Sequence, residues 1–332
     1  MTGKSKREQL SSLSPENLAL PGYIEIIGLI NFGGMGAIYE ARNRKNSERL
    51  AVKIMQPDHL NDNIAKKRFM NESKAVGSVK SDFIVKLRDY GVTETGFPFM
   101  VMEYLEGDDL WHLVIEKGHL SVDDVLDIFI QAATGFGDAH AKGIIHRDLK
   151  PSNIMVVDKQ SIKIVDFGIA KFFRDDGGCN EEETPLTATG ETVGTPLFMS
   201  PEQCLGKEVD KRADIYALGL VMYLCLTGKL PIEGQNAVEV FGKQVNMDIE
   251  LDLVPEVMRV VLRRCLEKAP EDRYSSMQEL KDDLIRIREE QSPRFKLTGK
   301  QRKSIRSLFL FAGALILGFF ITYVLVSIVP VL

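Results

Sequence analysis

His146-Arg147-Asp148-Leu149-Lys150-Pro151-Ser152-Asn153, followed by Asp166-Phe167-Gly168, decides how this chain is read. The first segment sets a carboxylate, a lysine and an amide close together. A carboxylate can take a proton from a reacting hydroxyl, a lysine offsets phosphate charge, and an amide oxygen ligates a hard cation. The second segment adds an aspartate, a residue type able to ligate a hard cation, a short hairpin later. The bland alternative is a turn between strands carrying solvated charges, and the ordered combination of groups weighs against it.

Upstream, Ile30-Asn31-Phe32-Gly33-Gly34-Met35-Gly36-Ala37-Ile38 lies between two predicted strands. Glycines let backbone N–H groups approach phosphate oxygens with no Cβ in the way. Alone, a Gly-rich hairpin is often only a tight turn. It gains force from Leu50-Ala51-Val52-Lys53, a strand that carries a lysine, and from Glu72 on a predicted helix. A lone Lys and Glu would be a surface pair worth little.

Apolar runs punctuated by Gly and Asn predict strands at 23–29, 38–41, 50–54, 84–90 and 99–104, with a helix over 64–79. Beyond Gly107 the pattern turns helical. Ser121 with Asp124 three residues on has the spacing of a capping box, with Asp in place of Glu or Gln. Further helices are predicted at 211–227, 235–245, 255–266 and 275–289. A strand-rich first part and a larger helical second part imply an α+β protein of two lobes with a cleft between them.

Taken together, H-R-D-L-K-x-x-N, D-F-G, Gly-Gly-Met-Gly at 33–36 and Gly194-Thr195-Pro196 through Met199-Ser200-Pro201-Glu202 resemble the eukaryotic-like (Hanks-type) serine/threonine protein kinases of bacteria. The resemblance covers most of the chain and implies the two-lobed protein kinase fold. It implies that Asp148 orients the substrate hydroxyl and accepts its proton, and that Lys150 neutralises charge on the transferring phosphoryl group. Lys53 would hold the α/β phosphates with Glu72 as its partner. Asn153 and Asp166 would hold Mg2+, or Mn2+ in its place, against ATP. The loop from Ile30 to Ile38 would cover the phosphates, although Asn31 stands where the family has its first glycine. Asparagine tolerates left-handed backbone better than other non-glycine residues. Met102 matches the gatekeeper, with Glu103, Tyr104 and Leu105 as the adenine-binding hinge.

The same resemblance gives scaffolding roles to Glu202, paired with Arg273, and to Asp214 beneath the catalytic loop. Lys150 and Thr195 fit protein Ser/Thr rather than Tyr substrates. Arg147 before Asp148 implies switching by loop phosphorylation, with Thr187 and Thr189 as autophosphorylation sites.

The chain has 332 residues and a net charge of −5, which leaves no electrostatic footprint for nucleic acid. Cys179, Cys204, Cys225 and Cys265 form no C-x-x-C pair and read as free thiols. From Ser307 to Leu332 no residue is charged, and 308–332 is long enough to cross a bilayer as one helix. Arg294, Lys296, Lys300, Arg302, Lys303 and Arg306 precede it, which keeps the body of the protein on the cytoplasmic side. That cluster either attracts anionic lipid or is a solvated linker. The expected organisation is a polar arm (1–22), a kinase domain (23–288), a basic linker (289–306) and a single C-terminal transmembrane helix (308–332). The protein would be tail-anchored, with no sensor region beyond the span. Ala314 and Gly318 are spaced to let two spans pack as a homodimer.

Two other functions stand beside an active protein kinase. A pseudokinase scaffold would have lost catalytic groups, yet Lys53, Asp148, Asn153 and Asp166 are all present. A small-molecule or lipid kinase would not need the long 166–202 segment, which resembles a peptide-docking loop.

Overall fold

The structure is a computed structural model that describes residues 15–33, 36–56, 60, 63–158, 161–167 and 194–294, with backbone only at 15–16, 63–65, 68, 71–72 and 195. A short helix α1 (Pro15–Leu18) leads into β1 (Ile24–Gly33), β2 (Gly36–Asn43) and β3 (Arg49–Met55). Helix α2 (Asn63–Gly77) precedes β4 (Leu87–Val92) and β5 (Pro98–Glu103). The five strands form one antiparallel sheet in the order β1-β2-β3-β5-β4.

Side-chain alternation along β3 decides what the cleft receives. Leu50, Val52 and Ile54 enter the core of this lobe with Ala37, Tyr39 and Ala41 of β2. A strand's side chains alternate between its faces, so Lys53 lies on the opposite face with Met55. Met55 packs there with Phe69 of α2 and Met100 of β5. Leu18 is fully buried in the same core, and Thr95 donates to its carbonyl at 3.1 Å. The end of the polar arm is thus folded into the lobe, through an apolar residue that isolated polarity counts pass over.

After Glu103 the chain crosses to the second lobe. A small sheet of β6 (Gly107–Asp109), β7 (Ile154–Val157) and β8 (Ser161–Ile164), in that order, carries the two chemistry-bearing segments on its β7–β8 hairpin. Helices α3 (Leu110–Lys117), α4 (Val122–His140), α5 (Gly194–Leu197), α6 (Pro201–Cys204), α7 (Arg212–Thr227), α8 (Ala237–Asn246), α9 (Glu256–Cys265) and α10 (Met277–Arg288) build the rest. Helix α7 is buried from Ala213 to Leu226 and forms the axis of the large apolar core. A helix apolar on every face belongs inside; half-buried Arg212 stands at its first residue, and the charge within the buried stretch, Asp214, is 1% exposed.

The predicted elements are present with ends shifted by a few residues, and one differs in kind. Val85 donates to Ile164 of β8, Ile164 donates to Phe83, and Ile84 makes an isolated parallel bridge, so β4 proper starts only at Leu87. One apolar run therefore serves two sheets. The Ser121 cap forms, with Asp124 N–H donating to the Ser121 hydroxyl at 3.1 Å. The Asp124 carboxylate accepts from that hydroxyl at 2.8 Å, a local closure available to the shorter side chain. No helix among the described residues is long and apolar enough to cross a membrane; the expected span at 308–332 lies outside them.

Candidate active site

Lys53 is 4% exposed, and its ammonium donates to Asp166 Oδ1 at 2.6 Å. Asp166 is deep in the cleft yet keeps 36% of its side chain accessible. Burial pushes its carboxyl up, but the charge and hydrogen bond of Lys53, with Lys150 and His146 beyond, outweigh this and hold it below the usual carboxylate range. The β3 lysine and the second-segment aspartate, far apart in sequence, thus meet as an ion pair. Glu72 lies on α2, but its side chain falls outside the described residues, as do Gly34, Met35, Thr187 and Thr189.

Asn153 is held by its backbone. Its N–H donates to the Lys150 carbonyl at 3.0 Å, and its carbonyl accepts from Val165 N–H at 2.9 Å, next to Asp166. Its side chain is 3% exposed, and Oδ1 is buried with no hydrogen-bond partner. An orphaned buried amide oxygen is costly unless something ligates it. A hard cation shared with the Asp166 carboxylate and ligand phosphates fits that oxygen. Among the described residues no group of three or more His, Cys, Asp or Glu side chains forms a cage of its own.

Asp148 is 8% exposed, and Lys150 Nζ lies 3.9 Å from its Oδ2. His146 ties this loop to Val165, which follows β8 and precedes Asp166. Its Nδ1 accepts from Asp148 N–H at 3.3 Å, so Nε2 carries the proton and donates to the Val165 carbonyl at 3.2 Å. Burial holds the imidazole below the ordinary histidine pKa, against the pull of Asp214, and keeps it neutral. Its ring packs against Phe167 at 4.9 Å and Phe136 at 5.7 Å between centroids.

Beneath the loop, Asp214 accepts from the backbone N–H of His146 at 2.8 Å and of Arg147 at 2.9 Å, and from His140 Nε2 at 2.7 Å. Burial raises this carboxyl, and the hydrogen bond and charge of His140 more than reverse it. Glu202 meets Arg273 in a two-pronged pair, both contacts at 2.7 Å. The remaining Arg273 N–H groups donate to the carbonyls of Glu267, Arg212 and Lys268, so all five of its donors are used.

Strands β1 and β2 pair across the glycine segment, with Gly33 opposite Gly36. Gly36 has φ 150°, and a Cβ there would meet the Ile54 carbonyl oxygen at 1.9 Å, so glycine is required. Ile30 is 49% exposed. Asn31 is exposed too, while Phe32 and Ile38 are half-buried. Ala37 is buried in the lobe core, so its side chain is unavailable to a ligand.

At the hinge, the Glu103 carboxylate accepts from Lys86 N–H at 2.9 Å and pairs with Lys163 at 2.8 Å, which commits it to structure. Leu105 is half-buried. Behind Met102 a small cavity opens between α2 and Phe167, lined also by Ser73, Val76 and Met100. The Lys163–Glu103 pair and the His140 contact carry no signature in sequence, because each joins residues that only the fold brings together.

Comparisons with known proteins agree with this geometry. The family described as Protein kinase domain matches residues 24–285. Serine/threonine-protein kinase PknB of Mycolicibacterium smegmatis is 35% identical over 278 residues, covering 81% of this chain and 43% of the relative. Serine/threonine-protein kinase pkn3 of Myxococcus xanthus is 34% identical, covering 84% of the chain and 52% of the relative. The chain thus spans about half the length of the curated relatives it matches, or somewhat less. The crystal structure of the PknI kinase domain of Mycobacterium tuberculosis shares the fold, with a TM-score of 0.62 at 23% identity over 82% of this chain and 98% of that one. With its lysine, its two aspartates and its amide held around one cleft, and with that match spanning both lobes, the chain belongs to the protein kinase domain family.

Proposed function

We propose that this protein is a serine/threonine protein kinase that transfers the γ-phosphoryl group of ATP to Ser or Thr hydroxyls of protein substrates. The observation that carries the reading is Lys53 donating to Asp166, beside an Asn153 oxygen that is buried and unpartnered. Asp148 accepts the proton of the substrate hydroxyl and orients its oxygen. Lys150 places a positive charge where the transferring group gains negative charge. Lys53 anchors the α/β phosphates, with Glu72 assigned as its partner. The loop from Ile30 to Ile38 covers the nucleotide, and the Glu103–Leu105 hinge receives the adenine. Mg2+ on Asn153 and Asp166 would neutralise phosphate charge; Mn2+ has the same oxygen preference. Catalysis of this kind is positioning plus electrostatic stabilisation.

The finer assignments follow from sequence. Residues 23–288 are the catalytic unit, 289–306 a basic linker and 308–332 a membrane span that keeps the kinase on the cytoplasmic face. Thr187 and Thr189 are autophosphorylation sites that answer to Arg147. The deciding experiment incubates the chain with Mg-ATP and generic protein substrates, beside Asp148→Asn and Lys53→Met variants. Phosphoserine and phosphothreonine should form with the wild type and fall by about a thousandfold or more in either variant. Wild-type turnover by Asp148→Asn would overturn the mechanism.

A further inference from the structure

Arg147, the residue before Asp148, has φ 61°, a left-handed conformation that a non-glycine residue keeps only when its surroundings impose it. Asp214 holds its N–H. The other side of the clamp comes from a residue that no motif singles out. Gln203 of α6 donates from Nε2 to the Arg147 carbonyl at 2.7 Å. Its Oε1 accepts from Ser200 N–H at 3.1 Å and from the Ser200 hydroxyl at 3.2 Å, closing a capping box on the same helix. One amide therefore does two jobs, and each end of it has a distinct partner. Its neighbour Glu202 is fastened to Arg273. Helix α6 is thereby fixed to the large lobe through one residue and to the catalytic loop through the next.

We infer that Gln203 is a positioning residue: it holds the Arg147 carbonyl so that Asp148 faces the substrate hydroxyl, and it couples the end of the 194–204 segment to that aspartate. The inference rests on the phosphotransfer reading above. The chemistry requires an amide. A glutamate at this position also satisfies a capping box, but it sets a carboxylate against the Arg147 carbonyl and has no proton to give. A lysine has the reverse profile, able to donate to that carbonyl but unable to cap Ser200.

Two substitutions in the full chain separate the roles. Gln203→Glu should melt near the wild-type temperature while kcat falls about ten- to a hundredfold, the scale of a small misplacement, with KM for ATP and peptide unchanged. Amide hydrogen exchange of the segment containing Arg147 should quicken in this variant. Gln203→Lys should melt lower yet retain most of kcat and the slow exchange. Wild-type kcat and exchange in Gln203→Glu, or equal loss of kcat in both variants, would reduce Gln203 to a helix cap and overturn the inference. If the wild type itself transfers no phosphate, the kinase reading fails, while the exchange data still decide whether the clamp exists.

Discussion

Asp214 and Arg147 are joined by a 2.9 Å hydrogen bond from the Arg147 backbone to a carboxylate that is 1% exposed. A buried helix thus fixes the backbone at His146 and Arg147, through a charge placed where an apolar helix has room for few. The carboxylate satisfies N–H groups that would otherwise be buried and unpaired. Asp214→Ala leaves these N–H groups and His140 Nε2 without an acceptor, and should cost about 3–5 kcal/mol, as does breaking a buried polar pair. Denaturant unfolding of the two proteins measures it. A loss below about 1 kcal/mol would show that water replaces the carboxylate.

Acid should act through the same groups. Asp214 and Asp166 both titrate below the usual carboxylate range in the folded protein, because attraction to His140 and to Lys53 respectively overrides burial. Their contribution is complete above the unfolded value of about 3.9 and is lost as pH falls through the lower folded values. Melting temperature should therefore hold to about pH 5 and decline below about pH 4. The decline should be shallower in Asp214→Asn; an unchanged slope would exclude Asp214 as a contributor.

Glu202 and Arg273 supply a third test. The guanidinium is enclosed, with every donor engaged. Glu202→Gln removes the charge but keeps the shape, and should destabilise by about 3 kcal/mol. Arg273→Lys should be no milder, since an ammonium cannot reproduce the planar fork. Restoration by lysine would show that charge alone matters there.

The glycine loop predicts a local defect. Gly36→Ala would drive a Cβ into the Ile54 carbonyl and should cost about 1–3 kcal/mol of strain. KM for ATP should rise by more than the KM for peptide. Equal effects on both would place the damage outside the nucleotide site.

What the sequence disclosed and what it hid follow physical lines. Lys53, Asp148, Asn153 and Asp166 stood out in the sequence because their order matches a family's motifs, and the fold does bring Lys53 against Asp166. The helix at 212–227 was legible because it runs apolar from Ile215 to Leu226. Pairings across the fold were not: Lys163 with Glu103, His140 with Asp214 and Gln203 with Arg147 leave no periodicity to read. The apolar run at 84–90 misled because alternation cannot tell one partner sheet from two. Leu18 was missed since the short run Leu18-Ala19-Leu20 after a polar arm is too brief to show a period.

The last prediction concerns the tail, where sequence is the sole guide. Residues 308–332 carry no charge and follow a cluster of Lys and Arg. Burying such a stretch in lipid is strongly favourable, whereas in water it would expose an apolar surface too large for a soluble protein to leave open. Membrane fractions should therefore contain the full chain, and salt washing should not release it. Deleting 307–332 should free an active kinase into the soluble fraction. If the shortened chain still sediments but comes off in high salt, the basic residues from Arg294 to Arg306 hold it electrostatically. The pair Ala314 and Gly318 adds a finer test. Gly318→Ile should reduce crosslinking between two full chains and slow autophosphorylation in trans, since a shared span raises local concentration. Unchanged crosslinking would place the dimer contact, if any forms, outside this pair.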